Sequence, residues 1–209
     1  MGEVKSFTKE EFDKFIQDID KLKLKKMSVE KVRLMFEVLL SGAMRINEVL
    51  NLEPDDILPD GTIRIKEAKG GWSRCKCSKW KFRPTTLLSS DSNCVRCHGK
   101  GKFRVPQYAF VPEHILARLR QVGQDTLPNH KIFPISDRQA LNYVDQLAKA
   151  GTHAFRHSWL TWLVQSKKVD LARIRDKARH SSLATTDRYI QRNEALTRKE
   201  VNEASKDFI

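Results

Sequence analysis

The segment Gly151–Val164, GTHAFRHSWLTWLV, constrains the fold more than any other stretch. Trp159, Leu160, Trp162, Leu163 and Val164 require a hydrophobic core around a helix. The first turn of that helix nevertheless carries His153, Arg156 and His157. Any fold for this chain has to bury the helix and still accommodate a cationic end. Taken alone, the pattern permits a structural explanation: Thr152 can cap the helix, and a histidine beside an apolar face is commonly a satisfied core group.

Helical periodicity surrounds this segment. Phe12, Phe15, Ile16, Ile19 and Leu22 predict a helix from Lys9 to Leu24, with Thr8 and Glu11 in a capping-box pattern. Val32, Met35, Phe36, Leu39 and Leu40 predict a second helix over Val29–Ser41, ended by Gly42, and a short one follows over Ile46–Leu50. Residues 55–68 alternate about Asp60-Gly61 and predict a hairpin. Further helices are expected from Glu113 to Val122, Asp137 to Lys149 (with Ser136 and Gln139 as a capping box), His153 to Lys167 and Leu171 to Lys177. Thr197 and Glu200 mark a last one. The class is α+β: a mostly helical domain with a small antiparallel sheet, and an insert over 72–102 lodged in that sheet.

The insert differs in composition from the rest. It contains all four cysteines, as Cys75-x-Cys77 and Cys94-x-x-Cys97. Two close thiol pairs suit tetrahedral Zn2+, each pair spanning one edge, and Gly99 and Gly101 allow the tight turn of a knuckle. So polar a segment needs a staple, and four protein ligands make the expected zinc structural. Two disulfides are the competing arrangement. CVRCH, Cys94 to His98, also matches a haem-attachment pattern, which would require export; the start of the chain has no apolar signal core.

Charge points to a polyanionic partner. The chain has 39 Lys and Arg against 26 Asp and Glu, a net +13. Twelve of the cations and only Glu67 and Asp91 fall between Arg64 and Arg104, so that segment carries +10. Double-stranded DNA is the expected ligand, with Arg74, Lys76, Lys79, Lys81, Arg83, Arg96, Lys100 and Lys102 against its phosphates. No run of 18 apolar residues is present, so neither a membrane span nor a membrane partner is expected; the chain is expected to be soluble, cytoplasmic and nucleoid-associated.

Further motifs fall in a definite order. GAMRINEVLNL places Arg45 at a helix start, AKGG places Lys69 at a strand end, HAFRH holds His153 and Arg156, and RHSSLATTDRY holds His180 and Tyr189. Together these resemble the tyrosine recombinase (phage integrase) family. Its hallmarks are an Arg in a G-x-R-x-x-E helix start, a Lys in a β-turn, an H-x-x-R box, a His or Trp, and a Tyr. The resemblance spans Phe7 to Ile190 and implies the catalytic-domain fold of that family, over residues 1–209. It also implies site-specific DNA integration, excision or inversion through a 3′-phosphotyrosyl link made by Tyr189. Two arginines, Arg45 and Arg156, suit the non-bridging phosphate oxygens, because a phosphodiester gains charge on attack. His153 is the expected base or orienting group, His180 a hydrogen-bond donor, and Lys69 the general acid for the leaving 5′-oxygen. Lys100 or Lys102 can fill that last role, depending on where the insert enters the hairpin. His157 is expected to support structure.

The bond energy is retained in such a link, so no catalytic metal and no ATP are expected; no P-loop pattern occurs. A metal-dependent nuclease pattern, Pro54-Asp55 with Glu67-x-Lys69, leaves the His, Arg and Tyr set unexplained, and Asp55 and Asp56 are expected in a turn. HAFRH lacks the Glu of a zinc protease motif. A type IB topoisomerase would share the chemistry, and a non-catalytic zinc-containing DNA-binding protein would share the charge. No counterpart of the family's N-terminal core-binding domain is expected in residues 1–209, and the insert is expected to stand in for part of that clamp. The resemblance further implies a homo-tetramer on DNA, exchanging the tail after Tyr189, with a monomer in free solution.

Overall fold

The computed structural model describes residues 6–24, 26–66, 72–77, 79–80, 87–89, 93–166 and 168–179. The first helix, α1 (Lys9–Asp18), starts at a complete capping box: the Glu11 amide donates to Thr8 Oγ1 at 3.1 Å and the Thr8 amide to the Glu11 carboxylate at 2.9 Å. The α-helix stops six residues short of Leu24. Arg33 donates to the Ile16 carbonyl at 3.2 Å and to Asp20 at 2.6 Å, taking an acceptor that the next helical turn would use. A 3-10 turn over Ile19–Lys21 then places Ile19 and Leu22 on one buried face, as a three-residue repeat does.

The second helix, α2 (Val29–Ser41), is capped by Ser28 and buried along most of its circumference, with Val32, Met35, Phe36 and Leu39 fully enclosed. It is the axis of the domain. At its end Gly42 keeps φ −75°, and the left-handed residue is Ala43 at φ 46°. Gly42 is required for space: a Cβ there would lie 2.8 Å from the Val38 carbonyl oxygen. Gly42 is the C-cap of α2, as expected, and in the G-x-R spacing Ala43 stands two residues before Arg45. Helix α3 (Ile46–Leu50) follows at once.

The expected hairpin about Asp60-Gly61 shrinks to one bridge, Ile57 to Ile63. Asp55 and Asp56 lie in a 3-10 turn over Pro54–Asp56, and buried Asp56 accepts from Arg64 and Lys66 at 3.1 and 3.3 Å. Strand β1 (Ile63–Ile65) instead pairs with β6 (Gln107–Ala109), Ile63 opposite Ala109 and Ile65 opposite Gln107. The local sequence turns correctly, but Ile63, Ile65 and Ala109 find a common core only across the longer closure. Inside that pair nests β2 (Trp72–Arg74) against β5 (Lys102–Arg104), and then β3 (Lys79–Trp80) against β4 (Leu87–Ser89). The insert is therefore a nested set of antiparallel pairs within the β1–β6 closure.

Helices α4 (Glu113–Gln124), α5 (Asp137–Ala148), α6 (His153–Ser166) and α7 (Leu171–Ala178) complete the described chain. Their spans agree with the periodicity to within two residues. Ser136 caps α5 through the Gln139 amide, but the Gln139 side chain donates to Tyr143 instead of completing a box. The C-terminal helix expected from Thr197 lies outside the described residues. No described helix is long and apolar enough to cross a membrane.

Helix α6 packs on α2, which answers the core requirement of residues 151–164. Phe155 is fully buried, with ring centroids 5.0, 5.2 and 5.2 Å from Phe7, Phe15 and Phe36. The Phe7 amide donates to Ser158 Oγ and the Trp162 indole Nε1 donates to the Phe7 carbonyl, sewing residue 7 onto the same helix. Phe155→Ala is expected to lower stability by about 3–5 kcal/mol, through lost burial and an unfilled cavity at the α1–α2–α6 junction. Urea unfolding with an unchanged m-value would check this, and a loss under about 1 kcal/mol would mean that the junction collapses freely.

Candidate active site

Four side chains from three segments form one connected cluster at the α2–α3 corner. Arg45 is the N-cap residue of α3, and its backbone amide and Nη1 donate to Glu48 at 2.8 and 2.9 Å. Arg179, the residue after α7, donates from Nη2 to Glu48 Oε2 at 2.6 Å, the oxygen that also accepts the Arg45 amide, and to the Ala43 carbonyl at 3.3 Å. Arg156, in the first turn of α6, donates to that same Ala43 carbonyl and to the Ala178 carbonyl. Ala43 thus holds its left-handed φ because two guanidiniums fix its oxygen. A non-glycine residue there costs about 1–2 kcal/mol, and such strain persists where the surroundings over-determine it.

Two guanidiniums, those of Arg45 and Arg179, share one carboxylate, and Arg156 joins them through the Ala43 carbonyl. Glu48 is almost fully buried, and desolvation alone would raise its pKa. The Arg179 charge, then hydrogen bonds from Arg45 and Arg179, reverse this and hold it below the ordinary carboxyl value. Burial lowers the Arg179 pKa, opposed by Glu48. Beside it, Lys177 donates to the Phe110 carbonyl at 2.9 Å and lies 4.0 Å over the Phe110 ring, tying α7 to the end of β6. Desolvation, then the Arg179 charge, bring its pKa down to about 8.

These contacts place the expected site residues unevenly. Arg45 and Arg156 come together, linked through Ala43, Arg179 and Glu48. His153 is exposed at the start of α6. The cationic first turn is split: His153 is exposed, whereas Arg156 turns inward onto backbone carbonyls. His157 is partly buried and desolvation lowers its pKa, as a supporting role requires. Lys69, His180 and Tyr189 lie outside the described residues, as do Lys81 and Arg83. Glu48 and Arg179 were missed by motif reasoning. The Arg45-x-x-Glu48 spacing is a usable signal for the first; no periodicity marks the second.

In the insert, the four cysteine Sγ atoms lie within 4.8 Å of one another. The Sγ atoms of Cys75 and Cys94 are 3.6 Å apart and those of Cys77 and Cys97 3.4 Å, with no disulfide joining the four. Gly99 and Gly101 have φ 76° and 67°, and the Cys75 amide donates to the Gly101 carbonyl at 2.9 Å, closing the knuckle. Backbone amides of Cys97 and Arg96, then the neighbouring sulfurs, lower the Cys94 pKa to about 7. Lys76, Arg96, Lys100 and Lys102 are exposed around the cluster, with Arg96 4.1 Å over the Phe103 ring. Arg74 and Lys79 lie in β2 and β3.

Comparison with known proteins places this geometry. No family model matches the chain. The tyrosine recombinase XerH of Helicobacter pylori is 28% identical over 184 residues, covering 86% of this chain and 46% of its own length. The tyrosine recombinase XerA of Thermococcus kodakarensis is 25% identical, over 88% of this chain and 57% of its own. The chain spans about half the length of the curated relatives it matches. Among solved structures, XerH bound to its difH substrate aligns over 98% of this chain and 54% of that one, with TM-score 0.62 at 22% identity. The catalytic domain of bacteriophage HP1 integrase aligns over 90% of this chain and 87% of its own, with TM-score 0.58 at 12% identity. This is a tyrosine recombinase catalytic-domain fold. In that fold the α2–α3 corner, the head of α6 and the end of α7 converge, and these three places carry Arg45, His153 with Arg156, and Arg179.

Proposed function

We propose that this chain cuts and rejoins double-stranded DNA as the catalytic domain of a site-specific tyrosine recombinase. The observation that carries the reading is the convergence of Arg45 and Arg156, 111 residues apart in sequence, on one corner with a surplus of positive charge. Guanidiniums beside a phosphodiester neutralise the charge that grows as a fifth oxygen approaches phosphorus. Tyr189 supplies that oxygen. The P–O bond to the tyrosine forms, the bond to the 5′-oxygen breaks, the phenol proton passes to His153 and a proton from Lys69 reaches the leaving oxygen. His180 donates to the phosphate. The reading includes a tetramer on DNA, implied by the resemblance to this family.

The insert holds a structural zinc in the same proposal. Sγ separations of 3.4 and 3.6 Å approach the edge of a tetrahedron built with Zn–S bonds of about 2.3 Å, and all four ligands are cysteine. Arg96, Lys100 and Lys102 then project from a rigid ribbon toward the DNA backbone.

The test is covalent trapping on nicked, end-labelled DNA taken from the sequence flanking the gene, in EDTA. Label is expected to migrate with the wild-type protein on a denaturing gel and to be absent with Tyr189→Phe. Free fragments that require Mg2+, whatever stands at position 189, would replace this reading with metal-dependent hydrolysis.

A further inference from the structure

We propose that Arg179 is a third anion-binding guanidinium of this site, reserved for a phosphate oxygen of the DNA. The identity of the anion rests on the recombinase reading; the binding itself does not. The Arg179 side chain is 5% exposed and its backbone stands at φ 55°, a left-handed conformation that costs a non-glycine residue energy. Its Nη2 alone makes both described bonds, to Glu48 and to the Ala43 carbonyl. Nε and Nη1 are shielded from solvent and have no hydrogen-bond partner among the described residues.

Native structures rarely leave buried donors unpaired, since each costs about 1–3 kcal/mol and more when the group is charged. A strut for Glu48 needs one nitrogen, which a lysine provides. A guanidinium with two unused nitrogens exceeds that need. The grouping of charge agrees: Arg45 and Arg179 share the single carboxylate of Glu48, and a phosphodiester brings negative charge that grows under attack. The cluster opens to solvent at Arg45, whose side chain is a quarter exposed. An anion entering there meets Arg45 first, which shares the Glu48 carboxylate with Arg179.

Thermal unfolding of the whole chain in inorganic phosphate, at constant ionic strength set with chloride, tests this. Wild type is expected to show saturable stabilisation. Arg179→Lys keeps the pairing with Glu48 but loses Nε and Nη1, and its apparent affinity for phosphate is expected to fall at least about tenfold. Arg118→Gln, on α4 and paired with Glu37, is expected to match wild type. Equal phosphate affinity in wild type and Arg179→Lys, or no saturable response in wild type, would reduce Arg179 to a strut. Arg179→Gln adds a neutral variant; if it fails to fold, the lysine comparison decides alone. Loss of the covalent adduct assay would remove the recombinase reading without altering these outcomes.

Discussion

Glu48→Gln is expected to cost about 3–5 kcal/mol of stability, although it changes one atom. Glutamine keeps the shape of the side chain and an oxygen for Arg45. It removes the charge that accompanies Arg179 into the interior, and a buried guanidinium left uncompensated is what makes such losses large. Stability should also change its dependence on pH. The Glu48 carboxyl is held below its ordinary pKa, so its contribution is fully present above the ordinary value and is lost as pH falls through the depressed one. The acid limb of the wild-type profile should therefore flatten in Glu48→Gln. Urea unfolding from pH 7 down to pH 3 gives both quantities. Replacing both partners, as Glu48→Met with Arg179→Met, should recover much of the loss, because an apolar pair carries no desolvation penalty. A Glu48→Gln loss below about 1 kcal/mol would mean that solvent, not the carboxylate, balances Arg179.

Removing zinc is expected to unfold the insert and leave the helical domain standing. Structural zinc in small peptides is worth roughly 10–16 kcal/mol of apparent binding energy, and the sequence of the insert is too polar to supply a core in its place. Cys75 and Cys97 are the described buried apolar side chains of the knuckle. The β1–β6 pair closes beneath the insert, so disorder there need not reach Ile63 or Ala109. Elemental analysis should find one zinc per chain, and Cys97→Ser should lose it. Proteolysis should then cut within residues 72–102 while the helical circular dichroism changes little. Purified protein with no zinc and no titratable thiols would establish disulfides instead. Weaker DNA binding with a shallower salt slope after zinc loss would show that the ribbon carries phosphate contacts.

Much of the helical frame was legible because its signals are local. Ser28, Gly42 and the apolar positions between them define α2 without reference to any partner, and Arg45 precedes α3 in a pattern that needs only three residues. The cysteine spacing likewise announced a compact four-thiol cluster. Strand pairing was less legible: residues 55–68 contain the Asp60-Gly61 turn, yet β1 takes its partner from more than forty residues downstream. A turn signal reports where the chain reverses, not which apolar face the strand must share.

The site divides in the same way. Residue type and order along the chain determined by themselves that Arg45, His153 and Arg156 are candidates, because each motif is a short-range pattern. Only the tertiary structure decided that Arg156 turns inward onto the Ala43 and Ala178 carbonyls while His153 faces out. Only it decided that Glu48 joins Arg45 to Arg179, and that Ala43 adopts a glycine-like backbone. The physical reason is burial. A charge inside a protein must find its partners wherever three dimensions put them, and α3 and α7 meet across 131 residues of chain that no sequence period connects.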